Sequence, residues 1–170
     1  INSLDSSAIV VTHNAEEAMF LSDEIIVMEK GTIVQTGKPH EIYFNPSNVY
    51  VASLFGEVNI FESKIQNSKC DTPLGTLETK NFKDNQLVNV VVRPEAIKLN
   101  VEKSPVTSLN SGVVVDSKLL GSNAIIHMTV KDSNNNKHHI HSKLIGDFLP
   151  DPASSVSYSL DHNHIFIFPR

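Results

Sequence analysis

The sequence is short of several residue types, and each shortage argues against a class of protein. It has one cysteine, Cys70, which leaves no partner for an intrachain disulfide and no cysteine-rich metal knuckle. It has no tryptophan and only three tyrosines, so the aromatic platforms on which single-stranded nucleic acid stacks are scarce. Its apolar runs are far shorter than the roughly 18 residues that span a bilayer. The opening residues show no signal-peptide pattern. We therefore expect a globular chain that does not enter a membrane by itself.

Basic residues are also scarce, above all in the first third of the chain. Residues 1–56 carry Lys30 and Lys38 against seven acidic residues, and residues 57–170 carry twelve basic and twelve acidic residues. Neither part offers the basic surface that nucleic acid requires. The chain has 170 residues with 40% hydrophobic content, which is enough for one domain or two small ones with ordinary cores.

A short apolar run ends at a histidine, where a helix is predicted to begin. Residues 9–11 are Ile-Val-Val, a pattern typical of a strand buried on both faces of a parallel sheet. Asn14 is suited to cap the helix, and Glu17 stands where a carboxylate reaches back to complete a capping box. A polar side chain at the carboxyl end of a parallel strand lies where α/β folds bind ligands. The local pattern alone leaves two alternatives for His13, a ligand-binding residue or merely the end of a strand.

The residues around His13 resemble a known family. The segments that carry the resemblance occur in order, with compatible gaps, over the first third of the chain: 11–18, 21–28, 31–35, 37–43 and 45–46. They are similar to the end of the nucleotide-binding domain of ABC transporters. The resemblance implies that His13 is the switch histidine of the H-loop, which hydrogen-bonds the γ-phosphate of ATP and the attacking water. His13 is thus the expected catalytic and cofactor-binding residue. Asn14 stands where the family usually has aspartate, and Glu24 where arginine is common.

The rest of the first third predicts a hairpin and short helices. A helix is expected to end near Ser22, and two β-rich runs, 24–29 and 32–36, flank a tight turn at Lys30-Gly31. Pro39 suits the first turn of a helix over 40–44, with a weak cap at Lys38, and a further helix over 48–55 ends before Gly56. Residues 3–5 resemble the D-loop of ABC ATPases superficially. They lie too close to His13 for that role, so a turn before the strand is predicted.

Beyond Gly56 the helical pattern gives way to short β-rich segments separated by turn residues. The predicted strands are 60–65, 76–79, 87–93, 111–119, 124–131, 138–141, 156–160 and 164–168, with a hairpin tip at 133–136. Many short strands without long helices between them indicate a small barrel or sandwich. A second domain is therefore predicted to begin after Gly56.

This second part resembles the OB-like TOBE accessory domain that follows the nucleotide-binding domain in ABC importers. The resemblance rests on residues 92–97, Val-Arg-Pro-Glu-Ala-Ile, followed by 112–114 and 120–121. Because Pro94 ends the preceding strand, Arg93 and Glu95 are expected near one another at a barrel rim. The predicted fold class is mixed, a C-terminal α/β piece of a P-loop ABC ATPase domain (1–56) followed by an all-β OB-like barrel (57–170).

Three histidines in one predicted strand raise the question of a metal site. A period of two places His139 and His141 on one strand face, and His138 on the other. Two ligands are too few unless Asp161, His162 or His164 approaches them. A solvated polar face is therefore favoured, and no metal ligand is predicted.

The resemblance implies the C-terminal fragment of the ATP-binding subunit of an ABC importer, which couples ATP hydrolysis to solute uptake. Segments 56–61 and 72–75 favour an iron(III)-type importer, with polyamine and sulfate types close behind. The alternative is a stand-alone β-barrel module that binds a small ligand or oxyanion, or serves as a dimerisation surface. The sequence has no Gly-x-x-x-x-Gly-Lys-Ser/Thr loop. We therefore expect no ATPase activity and no cofactor in the fragment itself.

For the full-length protein, the resemblance implies ATP and Mg²⁺ as cofactors and a defined set of partners. It implies a homodimer through the ATPase and accessory domains, with two transmembrane permease subunits. A periplasmic or extracellular solute-binding protein acts indirectly, and nucleic acid is not a partner. The expected location is cytoplasmic, peripheral to the inner face of the cell membrane.

Overall fold

The computed structural model describes residues 7–100 and 110–170. They form two compact units, with the division between Gly56 and Glu57. The turn expected at residues 3–5 lies outside the described residues. Within the two described ranges, no helix is long and apolar enough to cross a membrane.

The described residues of the first unit, 7–56, form three short helices and one hairpin. These are α1 (Ala15–Leu21), β1 (Ile25–Glu29), β2 (Thr32–Gly37), α2 (Pro39–Phe44) and α3 (Val49–Leu54), which confirms the predicted elements from residue 15 onward. Lys30 and Gly31 have φ values of 49° and 82°, as a type I′ hairpin turn requires at both central residues. The unit's small core consists of Ile25, Val27, Ile42, Val51 and Phe55.

The strand predicted at residues 9–11 is wrong. These residues form no regular element, and Ile9 and Val11 are 95% and 94% exposed. A strand exists only through hydrogen bonds to a neighbouring strand, and the only sheet in the described part of this unit pairs β1 with β2. A parallel α/β layer is therefore not seen in residues 7–56.

The cap of α2 rests on a glutamate. Lys38 has no acceptor atom in its side chain, so it cannot cap the helix as serine or threonine does. Instead the Glu41 carboxylate accepts a hydrogen bond from the Lys38 backbone N–H at 2.9 Å. This cap satisfies one backbone N–H, in agreement with the weak cap expected from the sequence.

In the described residues of the second unit, the regular elements are strands, apart from two short 3₁₀ helices. Its strands are β3 (Asn59–Lys64), β4 (Lys69–Thr72), β5 (Gly75–Glu78), β6 (Leu87–Val92), β7 (Ile97–Leu99), β8 (Ser111–Leu120), β9 (Asn123–Lys131), β10 (Lys137–Ile145), β11 (Ser155–Leu160) and β12 (Ile165–Pro169). All eight predicted strands are present, whereas β4 and β7 were not predicted. β10 extends well beyond the predicted 138–141 because residues 142–145 continue the ladder with β9.

Outside residues 101–109, three antiparallel sheets surround one core in this unit. A five-stranded sheet has the order β10-β9-β8-β11-β7, a three-stranded sheet has the order β12-β6-β3, and β4 pairs with β5. The sheets contribute to one hydrophobic core. From β9, the alternate residues Ala124, Ile126, Met128 and Val130 are buried in it. The predominance of antiparallel strands is consistent with the expected all-β, OB-like domain.

A buried asparagine connects the two larger sheets. Asn59 of β3 is 8% exposed. Its Nδ2 donates to the backbone oxygens of His141 at 2.9 Å and Val92 at 3.3 Å, and its Oδ1 accepts from the His141 N–H at 2.8 Å. Because β3 and β10 are edge strands of different sheets, this side chain closes the gap between them.

Arg93, which was expected near Glu95 at a barrel rim, is a buried residue. The side chain is fully buried, and its Cζ atom lies 5.7 Å from the centroid of the Phe166 ring. A guanidinium over an aromatic face is stabilised by a cation–π interaction. The turn that follows, Pro94–Ala96, is a short 3₁₀ helix.

Candidate functional site

Hydrogen bonds at the start of α1 fix the backbone on both sides of His13. Asn14 Oδ1 accepts from the backbone N–H groups of Glu16 at 3.0 Å and Glu17 at 3.2 Å, which confirms Asn14 as the helix cap. The predicted return contact from Glu17 to the Asn14 N–H is wrong. That N–H donates to Thr12 Oγ1 at 3.0 Å, and the Thr12 hydroxyl donates to the Glu17 carboxylate. Thr12 takes the place of the direct contact because its hydroxyl both accepts and donates.

His13 itself is exposed to solvent. Its side chain forms no hydrogen bond to any residue in the described ranges, whereas the residues on either side of it are held by the Thr12–Asn14–Glu17 network. The result is an accessible imidazole on a locally fixed backbone. Such a group is suited to contact a ligand oxygen as hydrogen-bond donor or acceptor.

Large apolar side chains are exposed close to His13 along the chain. Ile9, Val11 and Phe20 are 95%, 94% and 88% exposed. Exposed apolar clusters of this kind often mark surfaces that contact other protein.

A second group of potential ligands lies on the outer face of β9 and β10. His127 is directly opposite His141 in the antiparallel ladder, and His139 lies two residues before His141 on the same face. His127 Nδ1 lies 3.2 Å from His139 Nε2. One potential ligand atom from each of the three imidazoles lies within 4.8 Å of the others. We call these three residues the histidine cluster.

Two members of the cluster follow from strand periodicity, and the third does not. The prediction that His139 and His141 share a strand face is correct. The third imidazole comes from His127, and Asp161, His162 and His164 are not part of the group. The hairpin tip at 133–136 was the signal that could have found it. With Lys131 paired to Lys137 across that tip, the antiparallel register places residue 127 opposite residue 141.

His138 has a different environment from its neighbours. Its Nε2 lies 3.0 Å from Asp132 Oδ2, and Asp132 Oδ1 also accepts from the backbone N–H groups of Asn134 and Asn136. The hydrogen bond with His138, followed by those with Asn136 and Asn134, lowers the pKa of Asp132 to about 2. His138 therefore supports the hairpin tip and is not available to the cluster.

Burial and mutual repulsion act on the central member of the cluster. The pKa of His141 is lowered, first by burial and then by the neighbouring His127 and His139, while Glu57 acts in the opposite direction. A lowered pKa leaves more of this imidazole in the neutral form that binds metals.

Known proteins resemble the chain over nearly its whole length, although no family model matches it. It is 33% identical over 163 residues to the spermidine/putrescine import ATP-binding protein PotA of Mannheimia succiniciproducens, covering 90% of this chain and 42% of that protein. It is 36% identical over 151 residues to PotA of Clostridium acetobutylicum, covering 84% and 42%. It is 30% identical over 179 residues to the sn-glycerol-3-phosphate import ATP-binding protein UgpC of Psychromonas ingrahamii, covering 97% and 45%.

The homologues are thus ABC importer ATP-binding subunits, and the resemblance seen in the sequence is to the same class. The chain spans less than half the length of these relatives. The expected iron(III) type is not supported, because the three relatives are named for polyamine and glycerol-phosphate import.

Proposed function

We propose that this chain is the C-terminal part of the ATP-binding subunit of an ABC importer of the polyamine type. The observation that carries the proposal is the 33% identity to a spermidine/putrescine import ATP-binding protein over 90% of the chain, in one alignment that spans both units. Residues 1–56 are the end of the nucleotide-binding domain, and residues 57–170 are the TOBE accessory domain.

In this proposal His13 contacts the γ-phosphate of ATP and orients the attacking water. The exposed imidazole on a fixed backbone fits that role, because a preorganised donor stabilises charge as it redistributes in the transition state. The chain has no Gly-x-x-x-x-Gly-Lys-Ser/Thr loop. The proposal therefore assigns the cradling of the phosphates and of Mg²⁺ to the rest of the full-length protein.

The exposed apolar residues near His13 fit a place inside a larger domain. Ile9, Val11 and Phe20 are almost fully exposed, and burying each side chain is worth about 1.5–3 kcal/mol. We assign their contacts to the remainder of the nucleotide-binding domain.

The full-length subunit works as a homodimer with two permease subunits at the inner face of the membrane. Dimer contacts involve the ATPase domain and the β unit, through isologous surfaces. The solute-binding protein acts on the permeases and does not touch this subunit.

Uptake measurements in a strain that lacks the gene test this function. The proposal predicts that uptake of labelled spermidine is lost and that the full-length gene restores it, while uptake of iron(III) and sn-glycerol 3-phosphate is unchanged. Loss of glycerol-phosphate uptake instead would refute the polyamine type and keep the importer class. If no uptake changes, the importer assignment is wrong.

A further inference from the structure

We propose that His127, His139 and His141 form a binding site for a late first-row divalent cation of the Zn²⁺ class. The inference rests on the three imidazoles that the β9–β10 hairpin brings together on one face, within 4.8 Å of one another. It is independent of the proposed transport function, since neither His13 nor ATP enters the argument.

The distances between the nitrogens are close to those of a tetrahedral zinc site. With Zn–N bonds of about 2.0–2.1 Å, two ligand nitrogens of a tetrahedral site lie about 3.3 Å apart. His127 Nδ1 and His139 Nε2 already lie 3.2 Å apart. The separations within the cluster reach at most 4.8 Å, so the nitrogens must approach one another by about 1.5 Å or less to reach the tetrahedral spacing. The proposal assigns this approach to rotation of the imidazoles about their side-chain bonds.

The backbone positions of the three ligands are fixed by the hairpin. β9 and β10 pair without interruption from Lys131–Lys137 to Asn123–Ile145. Their inward-facing side chains, including Ile126, Met128 and Ile140, are fully buried. Asn59 binds both backbone groups of His141. A rigid support reduces the entropy lost when the imidazoles converge on an ion.

Charged groups of both signs lie around the cluster. On β8, Asp116 is paired in register with His127, and the Glu57 carboxylate acts on His141. The cations are Lys118, whose ammonium lies 3.1 Å from Asp116, and Lys137 and Lys143, each two residues from a cluster histidine on β10. The carboxylates favour a bound cation, and the lysines oppose it.

The ligand chemistry selects the class of ion. Three imidazole nitrogens favour zinc, copper and nickel, whereas magnesium and calcium prefer oxygen ligands. Because His139 is exposed, the fourth position faces solvent and takes water or an external ligand. Three protein ligands with one open position are characteristic of zinc sites that bind small molecules.

Zinc titration of untagged, chelator-treated protein tests the site, with His138→Gln as the matched control. His138 lies beside His139 on the same strand but pairs with Asp132. We expect one Zn²⁺ per chain in the wild type and in His138→Gln, with affinities within twofold. We expect His139→Gln to bind about tenfold more weakly or worse, since even the loss of a supporting contact costs a metal site about 10–100-fold. Mg²⁺ should show no binding.

The visible absorption of bound Co²⁺ is a second readout. It reports on the ligands of the ion, so a change in folding alone does not reproduce it. Four-coordinate Co²⁺ in the wild type should give intense visible absorption, which is lost in His139→Gln and in His127→Gln. If His127→Gln fails to fold, the test rests on His139→Gln, because His139 is exposed. Urea unfolding without metal checks that His139→Gln is folded. Equal zinc affinity in wild type and His139→Gln, or no stoichiometric binding in the wild type, would overturn the proposal.

Discussion

The link between the two larger sheets gives the most direct test of the fold. Asn59→Ala removes three hydrogen bonds, of which those to the His141 N–H and C=O are short and the one to the Val92 C=O is long at 3.3 Å. A typical hydrogen bond contributes about 1 kcal/mol net, and a buried polar group left unpaired costs about 1–3 kcal/mol. We therefore expect the free energy of unfolding to fall by about 2–3 kcal/mol.

Urea unfolding measures this loss, and amide exchange shows where it arises. With a urea m value of about 2 kcal/mol/M, the midpoint of the β unit should fall by about 1–1.5 M with m unchanged. The His141 amide should exchange much faster in Asn59→Ala, because Asn59 Oδ1 is its acceptor. Asn163→Ala is the control, since Asn163 is exposed. If both variants unfold at the wild-type midpoint, and the His141 amide stays protected, Asn59 does not connect the sheets.

Two further predictions concern the same unit. Gly112→Ala should lower the free energy of unfolding by about 1–3 kcal/mol, because an added Cβ would lie 2.9 Å from Met128 Sδ and 3.3 Å from the Thr129 oxygen; an unchanged urea midpoint would refute this close packing of β8 on β9. The lowered pKa of Asp132 should stabilise the folded state above pH 3.8, and this contribution should disappear as the pH falls towards about 2. Asp132→Asn should therefore lose less stability than the wild type between pH 5 and pH 2.5, and identical pH profiles would contradict the hydrogen bond with His138.

Elements determined by local pattern were predictable, whereas those that depend on distant partners were not. The alternation along β9 and the turn residues Lys30 and Gly31 are local signals, and both gave correct elements. Residues 9–11 have a strand-like composition, but a strand needs neighbours that no local pattern supplies. β4 and β7 were not predicted either, because their pairing comes from tertiary context.

The candidate sites show the same division. The cap at Asn14 was predicted from the Asn-x-x-Glu pattern of residues 14–17, but the role of Thr12 requires knowledge of side-chain directions. His139 and His141 share a face by strand periodicity, whereas His127 joins them only through the register of the hairpin. Register depends on the turn and on the buried face together.

The proposed role of His13 on ATP in the full-length transport ATPase is tested by the turnover of full-length His13→Ala. Removing one preorganised donor typically lowers turnover about 10²-fold or more, roughly 3 kcal/mol of transition-state stabilisation. ATP affinity should stay nearly unchanged, since ground-state binding comes mainly from the phosphate loop and Mg²⁺. Asn14→Ala is the contrast, because losing a cap costs about 1 kcal/mol of stability and should alter turnover only slightly. Near-normal ATP turnover in full-length His13→Ala would contradict the account.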